Sequence, residues 1–131
     1  MIFNLMQYLT TIFPLYSFCV DGFKVSSPDN INALNGSGGE PEKRTGQKIT
    51  RVQVLTRNFS SFEAKKQAED IYDKIQSKFG LTLPEYSEGA DSFPAVVAHE
   101  INPLNIPYLL GTDENGRYLY TTNYYIVTGG N

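Results

Sequence analysis

The sequence predicts an α+β domain, in which a small, mostly antiparallel sheet packs on a central helix and a second helix lies at the N-terminus. Three patterns carry that prediction. Met1–Phe13 sets its apolar side chains at helical spacing. Ile49–Arg57 alternates with the two-residue period of a strand. Ser60–Phe79 joins a capping signature to a long apolar stripe. At 131 residues the chain fits a single domain, 1–131.

The first stripe consists of Ile2, Leu5, Met6, Leu9, Ile12 and Phe13, with Asn4, Gln7, Thr10 and Thr11 on other faces. Pro14 ends it, because proline lacks the amide that the next turn needs. The segment is far shorter than the roughly 20 apolar residues of a membrane span. It also lacks the basic flank and small-residue cleavage site of a signal peptide. It reads as an amphipathic helix docked on the domain. Leu15–Val20 is β-prone and closed by Asp21-Gly22, with Phe23–Val25 as a short return strand. Ser26–Asn30 is rich in turn residues, and Ile31–Leu34 reads as a brief strand. Asn35–Lys48 offers no apolar anchor to offset its ordering entropy, so it reads as a flexible loop containing Gly38, Gly39, Glu40, Lys43 and Arg44.

Along Ile49–Arg57, Thr50, Val52, Val54 and Thr56 form the expected helix-facing side. Ile49, Arg51, Gln53 and Leu55 form a partly open side. In the central helix Ser60 and Glu63 make the S-x-x-E capping box, and Gly80 reads as the C-terminal stop. The stripe runs through Ala64, Ala68, Ile71, Tyr72, Ile75 and Phe79. Lys65–Glu69, Lys66–Asp70 and Asp70–Lys74 pair on the wet face. Leu81–Asp91 reads as a loop, Ser92–Ile101 as a strand and Asn102–Asn105 as a turn. Ile106–Leu110 is a further strand, with Pro107 placing it at an edge. Asn115-Gly116 signals a hairpin into a final strand, Arg117–Val127, followed by a frayed tail over 128–131. On that strand Tyr118, Tyr120, Thr122, Tyr124 and Ile126 share one face.

The chemistry-bearing residues are sparse. A net charge of −3 is unlike the basic footprint of a protein that reads nucleic acid directly. His99 is the only histidine and no Asp/Glu cluster has metal-ligand spacing, so neither a metal nor a cofactor is expected. The glycines at 36, 38, 39 and 46 miss the phosphate-loop spacing, and no nucleophile elbow is present. Cys19 is the sole cysteine and reads as a buried thiol in a chain made under reducing conditions. No catalytic residue is therefore expected. Tyr118, Tyr120, Tyr124 and Tyr125 suit either a half-buried strand or a subunit interface. Ile49, Arg51 and Gln53, on the open side, are the other interface candidates.

The order of features resembles the minor-capsid and tail-terminator family of long-tailed phages, chiefly those of Gram-positive hosts. The resemblance rests on the N-terminal helix closed by Phe13-Pro14, on Ser27-Pro28-Asp29-Asn30, and on the Gly38-Gly39-Glu40-Pro41 loop. It continues through Val52–Arg57, through the helix opening at Ser60-Ser61-Phe62-Glu63-Ala64 and running through Ile71-Tyr72, and through Gly111–Glu114 and Thr121–Tyr125. It implies a tail-terminator-like fold and a subunit that assembles with itself into a ring, commonly a hexamer, at the head-tail junction of the virion. Such a ring, assembled in the host cytoplasm, caps the tail tube protein and binds the head-completion or stopper protein. DNA passes through its channel without specific recognition, and no membrane is involved. The other reading of the residues is a small α+β adaptor domain that binds protein without catalysis.

Overall fold

The computed structural model describes residues 1–129. Two helices, α1 (Ile2–Ile12) and α2 (Ser61–Ile75), pack on one face of a seven-stranded sheet. Its strands are β1 (Phe18–Val20), β2 (Ile31–Glu40), β3 (Lys48–Asn58), β4 (Lys78–Leu83), β7 (Val96–Pro103), β8 (Tyr108–Thr112) and β9 (Tyr118–Thr128). A separate small hairpin joins β5 (Tyr86–Glu88) to β6 (Asp91–Phe93). The order across the sheet is β1-β2-β3-β9-β7-β4, with β8 paired to β9 beyond the end of β7. All pairings are antiparallel except β1 with β2. The expected α+β architecture, with N-terminal helix, central helix and mostly antiparallel sheet, is the one observed.

One core holds the two layers together. Leu5 and Leu9 of α1 and Ile71 and Ile75 of α2 meet Leu34, Val52, Val54, Tyr124 and Ile126 of the sheet. Register explains why these side chains converge: Leu34 pairs with Val54, Val54 with Thr122, and Val52 with Tyr124. The helix-facing side of β3 is therefore the expected one. Ala64 and Ala68 let α2 approach the sheet closely, and each added methylene there would overpack the contact. Asn4 is an exception on α1. It is buried rather than outward-facing, and its amide donates to the carbonyls of Pro84, Phe93 and Pro94 at 2.9, 3.3 and 3.0 Å. Phe3 beside it stacks on Tyr86 and Phe93, anchoring the β5–β6 hairpin.

Several boundaries differ from the expectation, each for a physical reason. Phe23–Val25 is not a strand: β1 runs parallel to β2, so the chain needs a crossover after Asp21-Gly22 instead of a hairpin. Asn35–Glu40 continues β2 and Lys48 opens β3, leaving only 41–47 as the connection. Partnership with β3 extends this glycine-rich segment, and a bulge between Gly36 and Gly39 absorbs the irregularity. Gly39 is obligatory there, since its φ is +151° and a Cβ would run into the carbonyl of Ile49. The central helix stops at Ile75, because Gln76 is already extended at ψ 139° and Ser77 turns into the left-handed region at φ 49° before β4 begins at Lys78. Phe79 is therefore not on the helical stripe; it lies exposed on β4, and Gly80 is a strand residue instead of a cap. Leu81–Asp91 is not a loop but holds the end of β4 and the β5–β6 hairpin. The strand expected over Ser92–Ile101 is β7, shifted to Val96–Pro103, and the next is β8. Thr128, expected in the frayed tail, ends β9, and residues 130–131 of that tail lie outside the described residues.

Candidate interface surfaces

The face of the sheet opposite the helices is built from alternate residues of β3 and β9. Ile49 pairs with Val127, Arg51 with Tyr125, and Gln53 with Asn123. Ile49 and Gln53 are half-buried, and Arg51 is exposed. Three amide and hydroxyl side chains run across this face as a ladder. Asn35 Nδ2 donates to Gln53 Oε1 at 3.2 Å, and Gln53 Nε2 donates to Thr121 Oγ1 at 3.0 Å. The structure thus brings Ile49, Arg51, Gln53 and Tyr125 onto one surface.

The remaining tyrosines lie on the other face. Tyr124 is 1% exposed and packs in the core, so it is not a surface contact, contrary to its place among the interface candidates. Among the described residues, its hydroxyl and that of Thr122, two residues away on the same face, are both buried and make no hydrogen bond of ordinary geometry, although the Thr122 hydroxyl lies near enough to offset part of the burial. Burial drives the Tyr124 phenol pKa far up. Tyr118 and Tyr120 are half-buried and pair with Asn58 and Thr56. Of the loop residues, Gly38, Gly39 and Glu40 lie in β2. Lys43 and Arg44 lie in the exposed connection, where the Gly46 amide donates to the Lys43 carbonyl.

One end of the open face is closed by a charged clasp that the sequence reading missed. Arg57 donates from Nη2 to the Pro28 carbonyl at 2.7 Å and from Nε to the Asp29 carbonyl at 3.0 Å. Its guanidinium sits over the Phe23 ring at 4.1 Å. Arg117 adds ion pairs to Asp29 at 3.0 Å and to Asp113 at 2.8 Å, so the hairpin turn at 113–117 is fastened to the 21–30 segment. Cys19 lies under this segment, donating to the Gly22 carbonyl. Burial pushes its thiol pKa up against the opposing pull of Arg57 and Lys24. A raised thiol pKa makes a poor nucleophile.

A second missed feature follows β7. Leu104, Ile106, Tyr108, Leu109 and Leu110 are all exposed, and no charged residue occurs between Ile101 and Thr112. That uncharged run was legible as a signal. Where the strand breaks between β7 and β8, Asn105 fills the ladder. Its Oδ1 accepts from the Asn123 amide and side chain, both at 3.0 Å, and its Nδ2 donates to the Thr121 carbonyl at 3.3 Å.

Among the described residues, no group of three or more His, Cys, Asp or Glu side chains is placed to hold a metal. An open groove of about 670 Å³ lies among the described residues, bounded by Leu15, Pro28, Asn58, Phe59 and Gln67. The features that stand out are sheet surfaces and edges, which define a small two-layer α+β domain with its contacts spread over broad surfaces. A family model described as bacteriophage tail terminator protein matches residues 11–128. The chain belongs to that family of phage proteins. No curated protein matches the chain closely enough to count as a relative.

Proposed function

We propose that this chain is a non-enzymatic structural subunit that closes the phage tail tube as a homo-oligomeric ring and joins it to a head-completion protein at the head-tail junction. The family match over residues 11–128 carries this reading. The surfaces support it in kind. The open sheet face with Ile49, Arg51, Gln53 and Tyr125, and the apolar segment from Leu104 to Leu110, are two different patches. A closed ring needs such a pair, because each subunit meets its neighbours through unlike surfaces. Contiguous apolar exposure of this sort marks interaction sites.

The test is electron microscopy and mass measurement of the purified protein, alone and with its phage's tail tube protein. Rings of uniform stoichiometry, free or seated on tube ends, are the expected result. A protein that stays monomeric and leaves tube ends bare in the presence of the tube protein overturns the proposal.

A further inference from the structure

We infer that the ring proposed above is sewn together by backbone pairing, with the free edge of β8 in one copy adding antiparallel to the free edge of β1 in the next. The inference rests on the ring reading and names the seam within it.

Among the described residues, both edges are unpaired on one side. β8 bonds only to β9, and β4, on the same flank, begins at the level of Ile101 and does not reach it. β1 bonds only to β2. The amide of Asn32 donates to the Ser17 carbonyl and that of Asp21 to the Leu34 carbonyl. In a parallel ladder this turns residues 17, 19 and 21 toward β2, leaving the amides and carbonyls of Phe18 and Val20 on the outer edge. On the other flank, the Thr121 and Asn123 carbonyls accept from Asn105 and Leu104, so both residues bond toward the β7–β8 side. Tyr108, opposite Thr121, then bonds inward, and Leu109 presents its amide and carbonyl outward.

These two edges lie at the same height. Phe18 pairs with Asn32, Asn32 with Thr56, Thr56 with Tyr120 and Tyr120 with Leu109, so Phe18 and Leu109 end one row across five strands. The strand directions also fit. β8 is antiparallel to β9, which runs the same way as β2 and its parallel neighbour β1. Setting β8 of one copy beside β1 of the next therefore gives an antiparallel pair, in which Leu109 exchanges two hydrogen bonds with Phe18 and Tyr108 stands opposite Cys19.

The side chains favour such a seam. Natural edges are commonly defended by charge, bulges or proline. The β8 edge has a bulge and the adjacent Pro107 but no charge, and it exposes Leu104, Ile106, Tyr108, Leu109 and Leu110. The opposite flank exposes Leu15, which leads into β1, at 93% of full accessibility. A second copy has both the strand and the apolar flank to cover this edge.

Cys19, the only cysteine, is a reporter for the seam. Directly opposed residues in a non-hydrogen-bonded antiparallel pair have Cβ atoms about 4.5–5.5 Å apart, near enough for a disulfide with small adjustment. The variants Tyr108→Cys, Ile106→Cys and Leu110→Cys would each be assembled with the tube protein, oxidised mildly and run without reductant. Thr82→Cys on β4 is the control. Circular dichroism and melting confirm that each variant folds. A ladder of covalent oligomers up to the full ring, from Tyr108→Cys or from a two-residue neighbour and not from Thr82→Cys, is the expected outcome. Rings visible by microscopy with no ladder from any β8 cysteine, either against Cys19 or against Ser17→Cys at the exposed entry to β1, overturn the seam and leave the ring reading standing. Wild-type protein that forms no ring with the tube protein overturns both.

Discussion

The guanidinium of Arg57 lies 4.1 Å from the centroid of the Phe23 ring, sandwiching a nearly buried cation between an aromatic face and the sheet. The contact explains how a segment without secondary structure stays on the outer face of β2 and β3. Arg57 satisfies two carbonyls of that segment, which would otherwise face the sheet unpaired. A lysine carries the charge but not the planar fork that reaches both carbonyls and stacks on the ring. Arg57→Lys is expected to cost roughly 1–3 kcal/mol, the usual penalty for orphaning a buried polar group. Phe23→Leu is expected to cost less, because it keeps the apolar cover and loses only the cation–π attraction, on the order of 1 kcal/mol. Urea denaturation of the two variants checks the order.

Tyr124 offers the sharpest test of where the tyrosine strand points. Its hydroxyl is buried without a hydrogen bond of ordinary geometry, so the fold bears a desolvation cost there that phenylalanine removes. Tyr124→Phe is expected to leave the melting temperature unchanged or raise it, and to leave assembly untouched. Tyr124→Ala, which empties a core site, is expected to cost about 3–5 kcal/mol. A Tyr124→Phe variant of normal stability that fails to assemble would put the hydroxyl at an interface and contradict the burial.

The tyrosine strand also shows what was legible in the residues and what was not. Alternation alone groups Tyr124 with Thr122 and Ile126, and Arg51 with Gln53. It does not say which group of one strand shares a face with which group of the other. That follows only from the pairing of Val52 with Tyr124, a contact between residues far apart in sequence. Features set by neighbouring residues came through. The stripe of α1, the alternation of β3, the Ser60 cap and the turn at Asn115-Gly116 are all local. Features set by a distant partner did not. The extension of β2 through Gly36–Gly39 is imposed by β3, and the burial of Asn4 is imposed by three carbonyls some 80–90 residues away. Of the site, the open face around Ile49, Arg51 and Gln53 was visible in the pattern. The Arg57 clasp was not, since an arginine at the end of a strand looks like any solvated charge.

Asn105 is predicted to hold β7 and β8 on one line along β9. Removing its side chain leaves the Asn123 amide without its acceptor at a point where the backbone ladder is broken. Asn105→Ala is expected to cost roughly 1–3 kcal/mol and to speed hydrogen exchange at the Asn123 amide. Asn105→Asp keeps the acceptor and loses the donor to the Ile106 and Thr121 carbonyls, so the Asn123 amide should stay protected. Amide exchange by NMR separates the two; equal exchange at Asn123 in both variants would show that the side chain is not the acceptor that matters.

The capping box of α2 is only half formed, and the halves predict opposite mutational signs. Ser60 Oγ accepts from the Glu63 amide at 3.1 Å, as the signature requires. The reciprocal bond is absent, because the Ser60 amide donates to Asn58 Oδ1 instead. Glu63 Oε2 is left buried with no partner. Ser60→Ala is therefore expected to cost about 1 kcal/mol. Glu63→Gln replaces the partnerless oxygen with a group that carries no charge, and is expected to be neutral or slightly stabilising. Because glutamine also serves at that place in a reciprocal box, the deciding variant is Glu63→Ala. A reciprocal box would make it about as destabilising as Ser60→Ala, whereas a side chain that caps nothing makes it much milder. Thermal melts of the two alanine variants decide the matter.

The last prediction concerns acid. Tyr16 donates to Asp70 Oδ2 at 2.6 Å and Lys66 donates to the same oxygen at 3.1 Å, tying the segment after α1 to the middle of α2. Burial alone would raise the Asp70 pKa. The hydrogen bonds from Tyr16 and Lys66 and the Lys66 charge outweigh it, and the net shift is downward. A carboxylate whose pKa is lower in the folded chain binds fewer protons there than in the unfolded chain. Its contribution is thus complete above the unfolded pKa, near 4, and is lost as the pH falls through the lower folded value. Asp70→Asn removes that dependence. The melting temperatures of the wild type and Asp70→Asn should differ most at pH 6–7 and converge as the pH drops below about 4. Because the pair is partly exposed, salt should shrink the gap at neutral pH as well. Melting curves for both proteins from pH 7 to pH 3, at low and high ionic strength, provide the check. A gap that stays constant with pH would mean that Asp70 acts through packing and not through its charge.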